Sequence, residues 1–237
     1  MTVPLLDVRA LAAGYGEARI LFGLDLDVGA GEVVALMGRN GAGKSTTLKA
    51  IMGLLARCSG SVRFDGHELV GLAPFRISRL GLGYVPEDRR IFTDLTVLEN
   101  LEVARRPPRP GTPFWTVEQL FALFPNLAEM PDRPAGQISG GEQQMLTVAR
   151  TLMGNPSLLL LDEPSEGVAP LIVEQLAVLV AALKKQGLAV LLSEQNLAFA
   201  ELVCDRAYVL EKGAIGFSGT ITELAGNEPV RARYLGV

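Results

Sequence analysis

Residues 38–46 read Gly38-Arg39-Asn40-Gly41-Ala42-Gly43-Lys44-Ser45-Thr46, and this stretch decides the fold because it fits the pattern G-x-x-x-x-G-K-S/T. The apolar run from Val33 to Met37 comes directly before it and predicts a buried strand. Behind it, apolar residues recur at the spacing of one helix face, at Leu48, Ile51, Met52 and Leu55. Strand, glycine loop and helix therefore follow one another in the order that phosphate binding requires.

The glycines of this stretch allow the backbone to approach an anion closely. Gly38, Gly41 and Gly43 have no Cβ and accept positive φ, so successive N–H groups can point inward beside the positive end of the helix dipole. In such a loop the lysine reaches the β- and γ-phosphates and the next hydroxyl binds Mg²⁺, which assigns these roles to Lys44 and Ser45. A glycine-rich turn with a surface lysine is the alternative. The flanking strand and helix favour a nucleotide phosphate site, called here the phosphate loop (residues 38–46).

Composition restricts the size, compartment and partners of the chain. Its 237 residues are 49% hydrophobic, enough for one large α/β core. The net charge of −4 argues against a general binder of nucleic acid or anionic membranes. Cys58 and Cys204 show no paired spacing, which predicts a reducing cytoplasm. We expect no signal peptide, and no apolar run approaches the ~20 residues that cross a bilayer. A membrane function would therefore need its channel in another chain.

Patterning along the chain predicts an α/β core with two additions. Alternating residues predict early antiparallel strands at residues 5–11 and 19–28, followed by a hairpin. From residue 157 onward, strands and helices alternate as parallel βαβ units. Residues 94–134 predict two helices, the second closing at Pro125, and we interpret them as a helical lobe inserted in a single domain. Residues 1–93 and 135–237 then form the nucleotide-binding core. The predicted fold is α/β, a mainly parallel sheet with an antiparallel β subdomain and an inserted α-helical lobe.

Two carboxylates follow a second apolar strand. Residues 158–161 predict a buried strand, and Asp162 and Glu163 come directly after it. The carboxyl end of such a strand faces the edge where α/β sheets bind ligands. We assign Asp162 to Mg²⁺ or its water, and Glu163 to orienting and deprotonating the attacking water. An acidic loop after a core strand is the alternative, but a phosphate loop in the same chain favours the catalytic interpretation.

A second glycine-containing helix start lies between these two motifs. It reads Ile138-Ser139-Gly140-Gly141-Glu142 and is called here the signature segment (residues 138–142). Its serine and two glycines open a predicted helix that ends at Met153, which creates a second helix N-terminus able to bind an anion. Serine is also a routine N-cap, so the segment taken alone is compatible with an ordinary helix start.

Together these motifs resemble the ATP-binding cassette (ABC) ATPases over nearly the full length of the chain. The order of that family is present: an aromatic residue at Tyr15, the phosphate loop, the signature segment resembling L-S-G-G-Q, the apolar strand with its carboxylates, and Ser165–Val168 at the position of the D-loop. The resemblance implies the P-loop NTPase fold, ATP and Mg²⁺ as cofactors, and hydrolysis of ATP to ADP and phosphate.

The resemblance also implies how ATP is held. Tyr15 would stack on adenine, although an ordinary turn tyrosine is the alternative. Two cassettes would dimerise head to tail, with each ATP between the phosphate loop of one subunit and Ser139, Gly140 and Gly141 of the other. Charge-assisted hydrogen bonds to the γ-phosphate would hold this dimer closed, and hydrolysis would remove them.

Two positions depart from the pattern of the family. Where the family commonly has a glutamine that contacts Mg²⁺ and the transporter, the chain has Glu87. Where the family commonly has a histidine at the γ-phosphate, the chain has Gln195. Gln195 can donate an N–H to phosphate but cannot become cationic. We keep both as site residues, Glu87 at the metal and Gln195 in catalysis.

Three short tracts resemble the second of two ATPase subunits in bacterial branched-chain amino acid importers: Val85–Arg90, Glu166–Pro170 and Glu194–Asn196. The resemblance implies a heterodimer with another ABC ATPase subunit, with a homodimer as the alternative. It also implies two membrane permease subunits, an external solute-binding protein and a peripheral location at the cytoplasmic face of the bacterial inner membrane. The lobe at residues 94–134 would dock on the permeases, with Glu87 and residues 88–92 near the seam.

Other functions remain as alternatives. Importers of urea and short-chain amides look similar to the branched-chain systems. A regulator that senses nucleotide without meaningful hydrolysis is suggested by the missing histidine, and the presence of Asp162 and Glu163 argues against it. ABC proteins of DNA repair carry a long coiled coil, and no heptad run is present; ribosomal types usually hold two cassettes, and this chain holds one. We therefore expect no nucleic acid partner.

Overall fold

A computed structural model describes residues 3–111 and 113–236. The strands are β1 (Leu6–Tyr15), β2 (Ala18–Arg19), β3 (Leu24–Val28), β4 (Val33–Met37), β5 (Arg57–Phe64), β6 (His67–Glu68), β7 (Leu82–Val85), β8 (Leu158–Asp162), β9 (Ala189–Glu194), β10 (Arg206–Glu211) and β11 (Ala214–Thr220). The helices are α1 (Lys44–Ile51), α2 (Pro74–Leu80), α3 (Val97–Glu102), α4 (Val117–Leu123), α5 (Pro125–Ala128), α6 (Gly140–Leu152), α7 (Pro170–Lys185), α8 (Leu197–Val203), α9 (Ile221–Gly226) and α10 (Glu228–Val230). A 3₁₀ turn (Ala135–Gln137) precedes α6, and a π-helical turn (Arg231–Leu235) follows α10.

The larger sheet has the strand order β11-β10-β4-β9-β8-β7, and its pairs are parallel except for the hairpin of β10 and β11. Every residue of β4, β8 and β9 is buried, as expected for parallel strands covered on both faces. The register pairs Met37 with Glu194 and Asp162 with Ser193. The predicted parallel core is confirmed, and the carboxyl ends of three central strands meet at one edge.

The smaller sheet is antiparallel, with the order β2-β1-β5-β6 and β3 pairing with β1. β1 runs past the predicted end at residue 11 and continues to Tyr15, because Ala10 absorbs a register shift with φ of 48°. The Ala10 N–H donates to Asp25 Oδ1 at 2.7 Å. The strand predicted at residues 19–28 is two strands, since Phe22 N donates to Gly213 O (2.9 Å) in the β10–β11 turn and the chain leaves the sheet there.

Two apolar clusters cover opposite faces of the larger sheet. Alternate residues of β4 divide between them: Val33, Ala35 and Met37 join the cluster that contains α6 and α7, whereas Val34 and Leu36 join the one beneath the antiparallel sheet and α1. Both faces of this sheet are therefore anchored by packing, which fixes the edge where the strands end. Within the described residues, no helix is long and apolar enough to cross a bilayer.

The segment between β7 and α6 packs into the same cluster as α6. Its second predicted helix ends at Leu123 as α4, two residues before Pro125. Pro125 then begins α5, because proline is favoured at the first helical position. Asn155, which is fully buried with φ of 50°, anchors the segment: its Oδ1 accepts from Trp115 N (2.8 Å) and its Nδ2 donates to Arg106 O (2.7 Å). No sequence pattern predicted this role for Asn155.

Candidate nucleotide-binding and hydrolysis site

The backbone of the phosphate loop is shaped by its contact with β10. Gly38 has φ of 152°, and a Cβ at this position would lie 2.6 Å from the carbonyl oxygen of Leu210. Gly43, the residue before α1, has φ of 114°, and its Cβ would lie 2.9 Å from Leu21 Cδ2. Both positions therefore require glycine, as the sequence pattern predicted for a loop that wraps an anion.

Lys44 is buried, with 3% of its surface exposed. Its Nζ donates to Gly38 O at 2.7 Å and Arg39 O at 3.2 Å, and it lies 3.0 Å from Glu163 Oε1. The Arg39 guanidinium donates instead to Ala232 O at 3.4 Å, so only the backbone of Arg39 faces the lysine. Lys44 thus joins the loop to the carboxylate, and a phosphate in the loop would offer it oxygen acceptors in exchange for these carbonyls.

Asp162 ends β8 and is held by two hydroxyl groups. Ser193 Oγ donates to Asp162 Oδ1 at 2.8 Å, and Tyr84 OH donates to Asp162 Oδ2 at 3.0 Å. Burial, reinforced by the charge of Asp162, raises the pKa of Tyr84, so the phenol stays protonated as a donor. No sequence motif predicted Tyr84 or Ser193 as site residues. Both residues lie near the carboxyl ends of core strands that pair with β8, and that position is the feature that could have indicated them as site residues.

Glu163 takes a left-handed backbone conformation, with φ of 46°. Its N–H donates to Ser193 Oγ (3.0 Å) and Ser193 O (3.1 Å), which hold the turn after β8. Burial opposes ionisation of its side chain, but the hydrogen bonds from Glu166, Lys44 and Gln195 outweigh burial and lower the pKa of Glu163. The carboxylate is therefore charged and fixed, as a residue that orients water needs to be.

A second carboxyl group, Glu166, was missed as a site residue. Its hydrogen bond to Glu163, together with burial, raises the pKa of Glu166 to about 7. Glu163 and Glu166 therefore share a proton near neutral pH, and they titrate as a pair. The sequence placed Glu166 in the D-loop without assigning it a contact, because the pairing depends on the left-handed turn at Glu163.

Gln195 connects the phosphate loop to the catalytic carboxylate. Its Nε2 donates to Asn40 Oδ1 at 2.6 Å and to Glu163 Oε2 at 3.0 Å. Lys44, Glu163, Gln195 and Asn40 therefore form one connected polar cluster at the edge where β4, β8 and β9 end. Such a cluster can bind a phosphate chain. It also holds a carboxylate where that carboxylate can orient the water that attacks the phosphate.

The other predicted residues lie beside this cluster or outside it. Ser45 and Thr46 are in the first turn of α1, where Ser45 is half-buried and Thr46 is buried. Glu87 is exposed just after β7, and Tyr15 ends β1 with 47% of its surface exposed. In the part of the chain that the structure describes, neither Glu87 nor Tyr15 bonds to the phosphate loop. Their roles stay predictions.

The signature segment is separate from the phosphate loop of the same chain. Ser139 caps α6 reciprocally with Glu142: Ser139 N donates to Glu142 Oε2 (2.7 Å), and Glu142 N donates to Ser139 Oγ (3.3 Å). A Cβ on Gly140 would meet Arg89, and a Cβ on Gly141 would meet Ile172. Ser139 itself is exposed, so an anion at this helix start would come from outside the chain.

Comparison with known proteins agrees with this geometry. The family model for the ABC transporter matches residues 21–166. The chain is 43% identical, over 98% of its length and 100% of the relative's, to the high-affinity branched-chain amino acid transport ATP-binding protein BraG of Pseudomonas aeruginosa. It is 34% identical, over 98% of its length and 97% of the relative's, to the lipopolysaccharide export system ATP-binding protein LptB of Haemophilus influenzae.

A probable branched-chain amino acid transport ATP-binding protein, LivF of Archaeoglobus fulgidus, is 37% identical over 96% of this chain and 97% of its own. Among solved structures, the ADP conformation of an ATP-binding cassette from an ABC transporter aligns with a TM-score of 0.80 and 29% identity, covering 97% of each chain. The predicted P-loop NTPase fold and ATPase family are confirmed. The chain belongs to the ABC transporter family, as one of its ATP-binding, ATP-hydrolysing subunits.

Proposed function

We propose that this ATPase subunit drives uptake of branched-chain amino acids through partner membrane permeases. Its 43% and 37% identity to relatives named for branched-chain amino acid transport supports this cargo, against 34% to a lipopolysaccharide export relative. The ATP-hydrolysing part of this proposal depends on one observation: Lys44 and Glu163 form a buried pair 3.0 Å apart. The phosphate loop holds Lys44, and Gln195 holds Glu163. ATP binding and cleavage at this pair supply the free energy for transport.

Mg²⁺ fits the residues at the end of β8. Asp162 is 1% exposed, and each of its oxygens accepts one hydrogen bond, which leaves lone pairs for a metal or its water. We assign Ser45 Oγ and Asp162 to the metal, with Glu87 as a further candidate. Among the described residues no cluster of three or more His, Cys, Asp or Glu side chains could hold a metal by itself. This suits Mg²⁺, which proteins commonly bind through one or two carboxylates together with substrate phosphates. When bound, the metal neutralises charge on the phosphates.

Chelation of divalent cations is expected to reduce phosphate release to background, because the phosphate charge would be left to Lys44 alone. Phosphate release is measured with purified protein in Mg²⁺ and in EDTA. Asp162→Asn should lower the rate about 10²-fold or more while MgADP binding persists. Ser59→Ala, an exposed substitution in β5, is the control and should change neither quantity. Hydrolysis that continues at full rate in EDTA would refute the metal assignment.

We propose that the permeases dock in a groove beside the lobe. The groove has a volume of about 400 Å³ and lies between α2, β7 and the end of α6, with residues such as Phe75, Ala104 and Arg150 in its lining. Phe75 and Phe92 are exposed by 57% and 51%, and Arg150 stacks over the Phe92 ring at 4.8 Å. A groove that combines an exposed aromatic ring with arginine side chains suits a short amphipathic helix from a membrane protein.

This placement of the groove supports the division of the single domain into a nucleotide-binding core (residues 1–93 and 135–237) and a helical lobe (residues 94–134). The lobe and α6 share one apolar cluster, so movement of a docked permease would be transmitted to the signature segment at the start of α6. The subunit then acts peripherally at the cytoplasmic face of a bacterial inner membrane. It works with a second ABC ATPase subunit, or a second copy of itself, and with an external solute-binding protein.

In vesicles that hold the assembled permeases, solute-binding protein loaded with leucine, isoleucine or valine is expected to stimulate ATP hydrolysis severalfold. The same binding protein without ligand, or offered urea, should not stimulate hydrolysis.

If the working dimer is a heterodimer, the chain alone should hydrolyse ATP more slowly than with its partner ATPase. Equal turnover per site with and without that partner would refute the heterodimer.

Phe75→Asp tests the docking groove in the same vesicles, because Phe75 lines the groove and a buried carboxylate there would oppose binding of a helix with apolar side chains. We expect this variant to lose stimulation and copurification with the permeases while the isolated subunit binds ATP normally. Leu202→Asp, on α8 with 70% of the leucine surface exposed, is the matched control. Full stimulation of the Phe75→Asp transporter would place the docking site elsewhere.

A further inference from the structure

Arg89 joins the loop after β7 to two segments of the nucleotide site. It has a left-handed backbone with φ of 47° and is half-buried. Its Nη1 lies 2.6 Å from the position that a Cβ on Gly140 would occupy, so the guanidinium rests on the start of α6. Its Nη2 donates to Gly167 O, in the D-loop, at 3.4 Å. One side chain thus contacts both the signature segment and the D-loop.

The charges around this guanidinium are unbalanced. The start of α6 carries the positive end of the helix dipole, which repels a cation placed beside it. Within residues 3–111 and 113–236, no carboxylate lies within 4.0 Å of Arg89, whereas its neighbour Arg90 pairs with Asp88 at 2.8 Å. Glu142 offsets part of this charge, but it is engaged by Ser139 N.

The backbone at the helix start has free donors beside this cation. The N–H groups of Gly140 and Gly141 donate to no acceptor among the described residues, as is usual for the first residues of a helix. A Cβ at position 140 would collide with the guanidinium, so glycine here makes room for the arginine as well as for an anion. A cation and two free N–H groups at one exposed surface form an arrangement that a phosphate would complete.

We propose that Arg89 binds the γ-phosphate of the ATP held by the partner subunit, across the head-to-tail interface. This inference rests on the proposed function, because it needs the shared ATP. Arg89 then supplies from the opposite subunit the positive charge that Gln195 cannot provide within the site. The long bond to Gly167 O is a weak contact, which the guanidinium can exchange for phosphate oxygens when the dimer closes.

The test measures ATP-driven association in a Glu163→Gln background, where ATP is not consumed. Sedimentation velocity gives the ATP concentration for half-maximal dimer. We expect Arg89→Ala to raise this concentration about tenfold or more, and Arg89→Lys to recover part of the loss. Arg90→Ala is the matched control and should leave it unchanged. MgADP affinity of the monomer, measured by calorimetry, should be equal in all variants because ADP lacks a γ-phosphate.

Mixing experiments show which subunit supplies the arginine. Lys44→Ala with Arg89 intact is combined with Arg89→Ala whose phosphate loop is intact, each labelled with a different fluorophore. The mixed dimer has one working phosphate loop, and that loop faces an intact Arg89. Placing both substitutions in one subunit and neither in the other also leaves one working phosphate loop, but that loop faces the Arg89→Ala substitution. The mixed dimer should then require about tenfold more ATP than the mixed dimer of the first mixture.

The outcomes separate this proposal from the function beneath it. If Glu163→Gln alone shows no ATP-driven dimer, the shared site is wrong and the role of Arg89 falls with it. If that parent dimerises and the Arg89→Ala derivative does so at the same ATP concentration, only the role of Arg89 is overturned. Arg89→Lys keeps the size of the side chain close to native and serves the same comparison if Arg89→Ala does not fold.

Discussion

Lys44→Ala is expected to lower ATP hydrolysis by about 10²–10³-fold or more, because it removes the only cation inside the described phosphate loop that can meet the β- and γ-phosphates. It also removes the donor that ties Gly38 O and Arg39 O together, so the loop loses its shape in addition to its charge. Phosphate release and calorimetric titration with MgATP measure the two losses. Wild-type binding and cleavage by this variant would show that residues 38–46 are not the nucleotide site.

The same substitution has a consequence for stability. Glu163 is 7% exposed and would lose its cation, and breaking a buried pair of this kind costs up to ~3–5 kcal/mol. Gln195 and Glu166 still donate to the carboxylate, so the expected cost lies at the lower end of that range. Thermal unfolding measures it, and Lys49→Ala in the last turn of α1 is the control.

The stability cost of Lys44→Ala should depend on pH. Lys44 is one of the groups that hold the pKa of Glu163 below its usual value, and a lowered carboxyl pKa stabilises the fold at pH above the unfolded value of 4.5. The difference between wild type and variant is therefore largest near neutral pH, and it shrinks as pH falls and Glu163 is protonated. Adding Glu163→Gln to Lys44→Ala should recover much of the stability without restoring hydrolysis.

The parts of this site that the sequence predicted are those with a local pattern. The phosphate loop needs glycine at fixed spacing, and Asp162 and Glu163 follow an apolar run that only a buried strand explains. Parallel βαβ alternation then brings both to one edge of the sheet, whatever the order of the strands. Resemblance to a family added the signature segment, whose predicted partner is the phosphate loop of another subunit.

The parts that the sequence did not predict depend on contacts between distant residues. Tyr84 reaches Asp162 only because β7 lies beside β8, and Ser193 only because β9 lies on the other side of β8. Ala10 bends β1 without the glycine that usually marks a left-handed residue. In the sequence, Arg89 is only one of two adjacent arginines. Its contact with Gly140 depends on how the loop after β7 folds over α6.

Glu163→Gln is expected to lower hydrolysis by about 10²–10⁴-fold, because an amide cannot take a proton from the attacking water. The substitution keeps the size of the side chain and one oxygen able to accept from Lys44 or Gln195, so ATP should still bind. Since ATP would then persist in the site, the closed head-to-tail dimer should accumulate. Size-exclusion chromatography with light scattering, with ATP and with ADP, measures that species.

Glu166→Gln is the matched control for this prediction, since it changes the second carboxyl of the same pair. An amide at position 166 can still donate a hydrogen bond to Glu163, as the protonated acid does, so hydrolysis should stay within about tenfold of wild type and no ATP-bound dimer should accumulate. If the two variants lose hydrolysis equally, Glu163 does not act alone, and the proton would pass through the pair. If Glu163→Gln hydrolyses ATP at the wild-type rate, another group activates the water, and the buried ion pair with Lys44 is structural.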